Sequence, residues 1–380
     1  MSVSLRVAID LRPLALDSGG GVGLLVAQLL EEVPRLGVSY VGVSDRPVPA
    51  GRVPASIPVI TAGSPGQRIR WERGVLPRLL SSLDPRPDLF HATWNHGVPA
   101  GLPMPSVLSL HDLIPWRLPR EVPWPKPAWL HRALYRSAIR SSARRAAAIV
   151  TLSEASRRDI AAKIPDAAPR VEVVPCAVPR WFVPAAPARL TENRRAFGDP
   201  YWLYVGGFDP RKGLFTLLAA MAAAFPGGTS PVLVLAGSRN EHRQACEAMA
   251  AALRVNAIFP GYVPDADLAA LFGGAALFVY PSRYEGFGIP PLLALAAGTP
   301  CVTTDGGALP EVVGEDAVVV PAGDAKALAE ALRRAAADPE PLRAMAARGR
   351  ERAARFSLDA LAERTLRAYE RALGRPEGHA

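Results

Sequence analysis

The stretch Tyr280-Pro281-Ser282-Arg283-Tyr284-Glu285-Gly286-Phe287-Gly288-Ile289-Pro290-Pro291 decides how this chain is read. An apolar run, Leu277–Pro281, has the length and β-rich composition of a buried strand. A carboxylate and two glycines follow, and prolines then open an apolar helical stretch. Proline suits a first helical turn because its missing N–H has no intrahelical partner there. The order is therefore strand, glycine loop, helix. Free backbone amides and the helix dipole make such a loop an anion pocket, and Glu285 can accept hydrogen bonds from hydroxyls. A pocket that takes a phosphate beside a polyol suits a sugar nucleotide.

The same rhythm runs outward in both directions. Strands are expected at Arg6–Asp10, Tyr40–Ser44, Leu89–Thr93, Val107–Leu113, Ala148–Ser153 and Val171–Val178, with helices at Val22–Leu36, Pro127–Ala146 and Glu154–Lys163. A polar, proline-rich join spans Pro179 to Pro200. Strands then resume at Trp202–Gly206, Val232–Gly237, Ala257–Gly261, Leu277–Pro281, Cys301–Thr304 and Ala317–Val320. Alternating strands and helices imply parallel sheets covered on both faces. The fold class is α/β, with two Rossmann-like doubly wound domains facing a central cleft and ligands at the carboxyl ends of strands. Helices at Asp324–Ala337, Pro341–Ala354 and Leu358–Leu373 close the chain, the last with Ser357 as its N-cap. The expected domains are 1–185, 186–355, and a C-terminal helix at 356–380 that returns to the N-terminal domain.

Composition supports this frame. The chain has 380 residues, 49% hydrophobic and 21% charged, which excludes a disordered or fibrous class. Two domains of about 150–200 residues fit the length. Cys176, Cys246 and Cys301 lie far apart, so neither a disulfide framework nor a zinc site is expected. The N-terminus has no apolar stretch of signal-peptide length. The 19-residue uncharged run from Gly286 to Thr304 is broken by Pro290, Pro291 and Pro300, and reads as loop, helix and strand, not as a membrane span. The expected location is cytoplasmic.

Other candidate residues sit at strand ends. Ser18-Gly19-Gly20-Gly21-Val22-Gly23 is either a phosphate-contacting turn or a plain tight turn. His111-Asp112 ends an apolar strand, where His111 is either a catalytic or a structural histidine. His91 and His96 read as structural or as an acceptor rim. These histidines show no metal-ligand spacing, and no metal site is expected. Asp209-Pro210-Arg211-Lys212-Gly213 places two cations after the strand that opens the second domain, where they can neutralise a diphosphate.

Taken together, the residues resemble the retaining glycosyltransferases of family 4, of the GT-B architecture. The likeness covers nearly the whole chain. It is carried by Val7-Ala8-Ile9-Asp10 with Gly20-Gly21-Val22, His111-Asp112-Leu113-Ile114-Pro115, Tyr204-Val205-Gly206 with Pro210-Arg211-Lys212-Gly213, and the Glu285 stretch. Ala297-Gly298-Thr299-Pro300-Cys301-Val302 and Leu309-Pro310-Glu311-Val312-Val313-Gly314 complete it. The His-Asp-Leu-Ile-Pro form resembles the bacterial mannosyltransferase-like branch that builds cell-surface polysaccharides.

The resemblance implies a nucleotide-diphosphate sugar (GDP-, UDP- or dTDP-linked) as donor, a glycan or lipid-linked acceptor, retention of anomeric configuration, and no metal or other cofactor. Glu285 would contact the donor sugar, with the amides of Phe287, Gly288 and Ile289 at the sugar and phosphates. Arg211 and Lys212 would stabilise the leaving diphosphate, Gly21 would let the first loop approach it, and His111 would line the sugar–acceptor cleft beside Asp112. Gly261-Tyr262-Val263-Pro264 resembles the loop that holds the base. Two positions depart from the pattern. Leu293 stands where a second glutamate usually binds ribose hydroxyls, and Gly207 stands where many relatives have arginine. Leu293 implies weakened or altered nucleotide recognition, such as a deoxyribose nucleotide donor. It also keeps open a competing class, a catalytically weak or inactive sugar-nucleotide-binding or scaffold subunit of a glycan assembly system.

Charge is uneven along the chain. Residues 1–190 hold 24 Lys+Arg against 14 Asp+Glu, whereas residues 191–380 hold 20 against 21. Arg132, Arg136 and Arg140 recur every fourth residue on a predicted helix, interleaved with Trp116, Trp124, Trp129 and Tyr135. This pattern fits either a solvated helix face or docking at an anionic membrane surface. No nucleic-acid-binding motif accompanies the charge.

Overall fold

A computed structural model describes residues 5–16, 20–63, 68–122, 124–227 and 230–375. Ser18 and Gly19 of the glycine turn lie outside the described residues, as do residues 376–380. The chain divides into two compact units. The first holds residues 5–115, 124–177 and 358–375; the second holds 116–122 and 178–357.

The first unit is built on seven strands: β1 (Leu5–Asp10), β2 (Val38–Ser44), β3 (Val59–Thr61), β4 (Leu89–Ala92), β5 (Ser106–Ser109), β6 (Ala148–Thr151) and β7 (Val171–Val173). They are all parallel, in the order β3-β2-β1-β4-β5-β6-β7. The second unit uses β8 (Tyr201–Val205), β9 (Val232–Ala236), β10 (Ala257–Gly261), β11 (Leu277–Tyr280), β12 (Cys301–Thr304) and β13 (Val318–Val320), in the order β10-β9-β8-β11-β12-β13. Each order reverses beside the unit's first strand, as in a doubly wound Rossmann sheet, and ligands bind at that switch point. The central strands β4, β5, β6, β11 and β12 are buried at every position. This is why apolar residues stand at adjacent positions in them, without alternation.

Three expectations need correction. The Val107–Leu113 run leaves the sheet at Ser109. Leu110 still donates to the Val150 carbonyl, but His111 N turns to the Asn95 side chain, so His111 and Asp112 lie past the strand. The Val171–Val178 run stops at Val173, because Pro175 has no N–H to offer a ladder. The join contains a helix, Pro187–Phe197, none of whose residues is buried, so no apolar periodicity marks it in sequence. Strand β3, short and exposed at the sheet edge, also escapes the pattern.

The last helix, Leu358–Ala372, belongs to the first unit. Leu361, Ala362, Thr365, Ala368, Tyr369 and Ala372 form its buried face, at three- and four-residue spacing. Inside that unit Tyr369 Oη lies 2.8 Å from His91 Nδ1 and 2.9 Å from Tyr40 Oη, and His91 Nε2 lies 2.9 Å from Ser109 Oγ. Burial drives the His91 pKa down to about 3, with nearby His111 adding to the shift. The ring is therefore a neutral link between helix and sheet.

Candidate active site

At the switch point of the second sheet, the loops after β8 and β11 meet. Gly213 closes the β8 loop at φ +69°, and a Cβ there would fall 2.1 Å from the Pro281 carbonyl oxygen. Only glycine allows that approach. The loops are then tied by Arg283 N, which donates to the Arg211 carbonyl at 2.8 Å. Glu285 is locked through its own backbone: its N–H donates to Gly306 O and its carbonyl accepts from Ala308 N.

This scaffold gathers the charged residues. Lys212 Nζ donates to Glu285 Oε1 at 2.6 Å, and Arg211 Nη1 lies 3.0 Å from both carboxylate oxygens. Ser282 Oγ donates to Oε1 at 2.6 Å and Tyr280 Oη at 3.1 Å, while Tyr280 Oη accepts from Lys212 at 2.7 Å. Glu285 and Lys212 are both buried. Burial alone would raise the Glu285 pKa, but Lys212 and Arg211 outweigh it and hold the carboxyl at about 2. It is an ionised acceptor compensated by two cations, as a buried charge must be.

The glycine loop runs from Glu285 into the helix Ile289–Ala297. Gly288 is its N-cap at φ +123°, and prolines occupy the first turn. Phe287 is buried edge-on to Phe356, with ring centroids 5.6 Å apart. Leu293 is buried on this helix at 4% exposure, so an apolar side chain fills the second-glutamate position. Gly207 is exposed, and its carbonyl accepts from Tyr204 Oη at 2.5 Å. Past β10, Tyr262 is 61% exposed and Val263 half-buried.

In the first unit, Gly20 caps the helix Gly21–Glu32, so Gly21 stands at a helix N-terminus as expected. His111 is buried, its Nε2 donating to the Thr93 carbonyl at 2.9 Å; its buried Nδ1 has no hydrogen-bond partner. Burial lowers its pKa, against the pull of that carbonyl. His111 borders a cavity of about 10 Å³ with His91, Ser109 and Thr365. Asp112 Oδ1 accepts from Ile114 N. His96 is buried, 3.5 Å from Glu72, and its ring contacts Trp94 and Tyr135. The Arg stripe lies on the helix Ala128–Arg145: Arg132 and Arg136 are half-buried and Arg140 exposed. Arg136 donates to the Pro115 carbonyl. Trp129, at 66% exposure, and Leu134, at 59%, face solvent on the same helix.

The structure brings Arg211, Lys212 and Glu285 together. The sequence assigns no role to Tyr280 and Ser282, although both stand in its most telling stretch, five and three residues before Glu285. Among the described residues no group of three or more His, Cys, Asp or Glu side chains is arranged to hold a metal ion. No helix among them is long and apolar enough to cross a membrane.

Two Rossmann-like units, with a carboxylate compensated by two cations at a switch point, fit the glycosyltransferase architecture, and comparison with known proteins shows the family. The family model described as Glycosyltransferase Family 4 matches residues 19–180, and the model described as Glycosyl transferases group 1 matches residues 191–352. The O-antigen chain mannosyltransferase B of Escherichia coli is 30% identical over 272 residues, covering 70% of each chain. Among solved structures, sucrose-phosphate synthase from Thermosynechococcus elongatus superposes with a TM-score of 0.78 at 24% identity, covering 96% of this chain and 98% of that one. HepE from Anabaena, solved in complex with UDP, gives 0.75 at 16% identity, covering 95% and 98%. The chain belongs to glycosyltransferase family 4, GT-B fold, in its bacterial mannosyltransferase-like branch.

Proposed function

We propose that this glycosyltransferase is retaining and metal-independent, and moves a hexose or deoxyhexose from a nucleotide-diphosphate sugar to a cell-surface glycan, glycolipid or related acceptor. The observation that carries the reading is the ionised Glu285 held by Lys212 and Arg211 at the β8–β11 switch point. The three side chains sum to one positive charge. A diphosphate arriving beside them exchanges partners with the carboxylate: the cations turn to the phosphates, and Glu285 accepts from sugar hydroxyls. As the bond between the anomeric carbon and the phosphate oxygen breaks, the cations neutralise the leaving diphosphate, a stabilisation worth several kcal/mol in a dry site. The acceptor oxygen bonds to the same face of the sugar, and its proton passes to a phosphate oxygen. That UDP is bound by HepE, a protein of similar fold, supports a nucleotide donor.

The acceptor side falls to the first unit, with His111 and Asp112 as its candidate residues. Arg132, Arg136 and Arg140, beside exposed Trp129 and Leu134, support peripheral docking at an anionic membrane surface, which is the inner face of the cell membrane for a cytoplasmic enzyme. A screen of UDP-, GDP- and dTDP-sugars that reads released nucleoside diphosphate tests the proposal. Release from one donor class, abolished in Glu285→Ala, supports it. Binding of nucleotide sugars without release in the presence of any glycan acceptor favours the competing reading raised by buried Leu293, a binding subunit without turnover.

A further inference from the structure

The second unit carries a cavity of about 410 Å³ that the cluster around Glu285 does not use. It opens over the start of the helix Leu214–Ala224. Its polar lining comes from Glu121, Asp209, Thr216, His242 and Arg283, and Phe215 forms part of its wall. Glu285, Tyr262 and Leu293 do not line it. The volume lies within the range of about 300–1,000 Å³ usual for small-molecule sites.

Its chemistry selects a ligand class. Glu121 reaches the cavity from the segment 116–122, which belongs to this unit. Its Oε1 pairs with Arg283, while its Oε2 is buried and has no hydrogen-bond partner. A buried carboxylate oxygen without a donor is costly, so Glu121 gains by turning this oxygen toward a donor that a ligand in the cavity brings. Asp209, which makes no side-chain cap to the turn it begins, adds a second carboxylate. Arg283 and Glu121 compensate each other, so Asp209 leaves the lining with a net negative charge, which disfavours phosphates and nucleotides. Phe215 is 49% exposed and offers an apolar ring surface. Carboxylates that accept from hydroxyls, beside an aromatic face that covers C–H groups, suit a neutral saccharide.

We propose that this cavity is a glycan subsite that holds a neutral sugar unit of the acceptor or product chain. The proposal rests on the glycosyltransferase reading and adds a second carbohydrate contact on the donor-side unit. Arg283, on its rim, is tied by its own N–H to the Arg211 carbonyl, so the subsite adjoins the diphosphate cluster.

Saturation-transfer NMR titrations with α-mannobiose, maltose and cellobiose test it on the full-length protein without donor. At least one disaccharide should bind the wild type, and Glu121→Ala and Phe215→Ala should each weaken it about tenfold or more. Phe215 is half-exposed, so its removal leaves the core intact even if Glu121→Ala perturbs folding. Equal affinity in the wild type and Phe215→Ala, no binding of any disaccharide, or displacement of the bound sugar by inorganic phosphate would each overturn the proposal. UDP, GDP and dTDP titrated into the same samples report separately on the donor reading. Nucleotide binding without saccharide binding would sink the subsite and leave the donor site standing.

Discussion

Lys212 Nζ lies 2.6 Å from Glu285 Oε1, across 73 residues of sequence, in a contact made where the loops after β8 and β11 converge. The carboxylate thereby keeps a buried lysine and the half-buried Arg211 in place for a more negative occupant.

Removing either partner should therefore damage transfer more than folding of the chain as a whole. Glu285→Gln and Lys212→Ala are each expected to lower nucleoside diphosphate release about 10²- to 10³-fold. The double variant should lose less than the product of the two effects, because the groups act as a unit. Steady-state rates on the donor found by screening check this; additive losses would separate the two roles.

Acid stability should carry the signature of the same carboxylate. Glu285 titrates at about 2 in the fold against an ordinary value of 4.5. Its stabilisation is fully present above pH 4.5 and is lost as pH falls toward 2. Denaturant melts between pH 7 and pH 3 should show a shallower decline in Glu285→Gln than in wild type. Parallel curves would show that the carboxyl is not held ionised by its neighbours.

The returning helix is tied to its sheet by Tyr369, whose hydroxyl meets both Tyr40 and His91. Tyr369→Phe should cost about 1–3 kcal/mol, since it leaves two buried polar groups short of a partner. His91 itself stays neutral to about pH 3, whereas an unfolded imidazole protonates near 6.5. Folding stability from this residue therefore falls as pH drops below 6.5. An imidazole NMR signal unchanged from pH 7 to pH 4 is the expected observation, and a midpoint near 6.5 would contradict the burial.

Nucleotide choice should reflect Leu293. A second glutamate would supply a charged hydrogen bond to ribose worth about 1.5–3 kcal/mol, and the buried leucine supplies none. Calorimetry with UDP, GDP and dTDP should find dTDP bound at least as well as the ribonucleotides. Clear discrimination against dTDP would dispose of the deoxyribose preference.

Membrane docking makes a separate demand on the helix Ala128–Arg145. Trp129→Ala with Leu134→Ser should reduce recovery on anionic vesicles by about an order of magnitude. Raised salt should weaken the wild type, at about 1 kcal/mol per engaged arginine. Equal recovery with and without vesicles would remove the helix from consideration.

Much of the fold is legible because strands buried on both faces carry adjacent apolar residues, and runs such as Leu277–Pro281 announce themselves. The Pro187–Phe197 helix and β3 are silent because neither buries an apolar face. Tyr280 and Ser282 stand in the motif, but nothing in their order shows that both hydroxyls turn onto Glu285. Glu121 is further removed: one acid in a basic segment, whose pairing with Arg283 no spacing reveals.

The Tyr280–Pro291 stretch by itself determined strand, glycine loop and helix, and with them an anion site next to a carboxylate, since those local conformations follow from proline, glycine and apolar periodicity. Only the tertiary structure decided what that carboxylate touches. Strand order places β8 beside β11 although β9 and β10 intervene in the chain, and side-chain partners across such a gap depend on sheet topology, which local sequence does not encode.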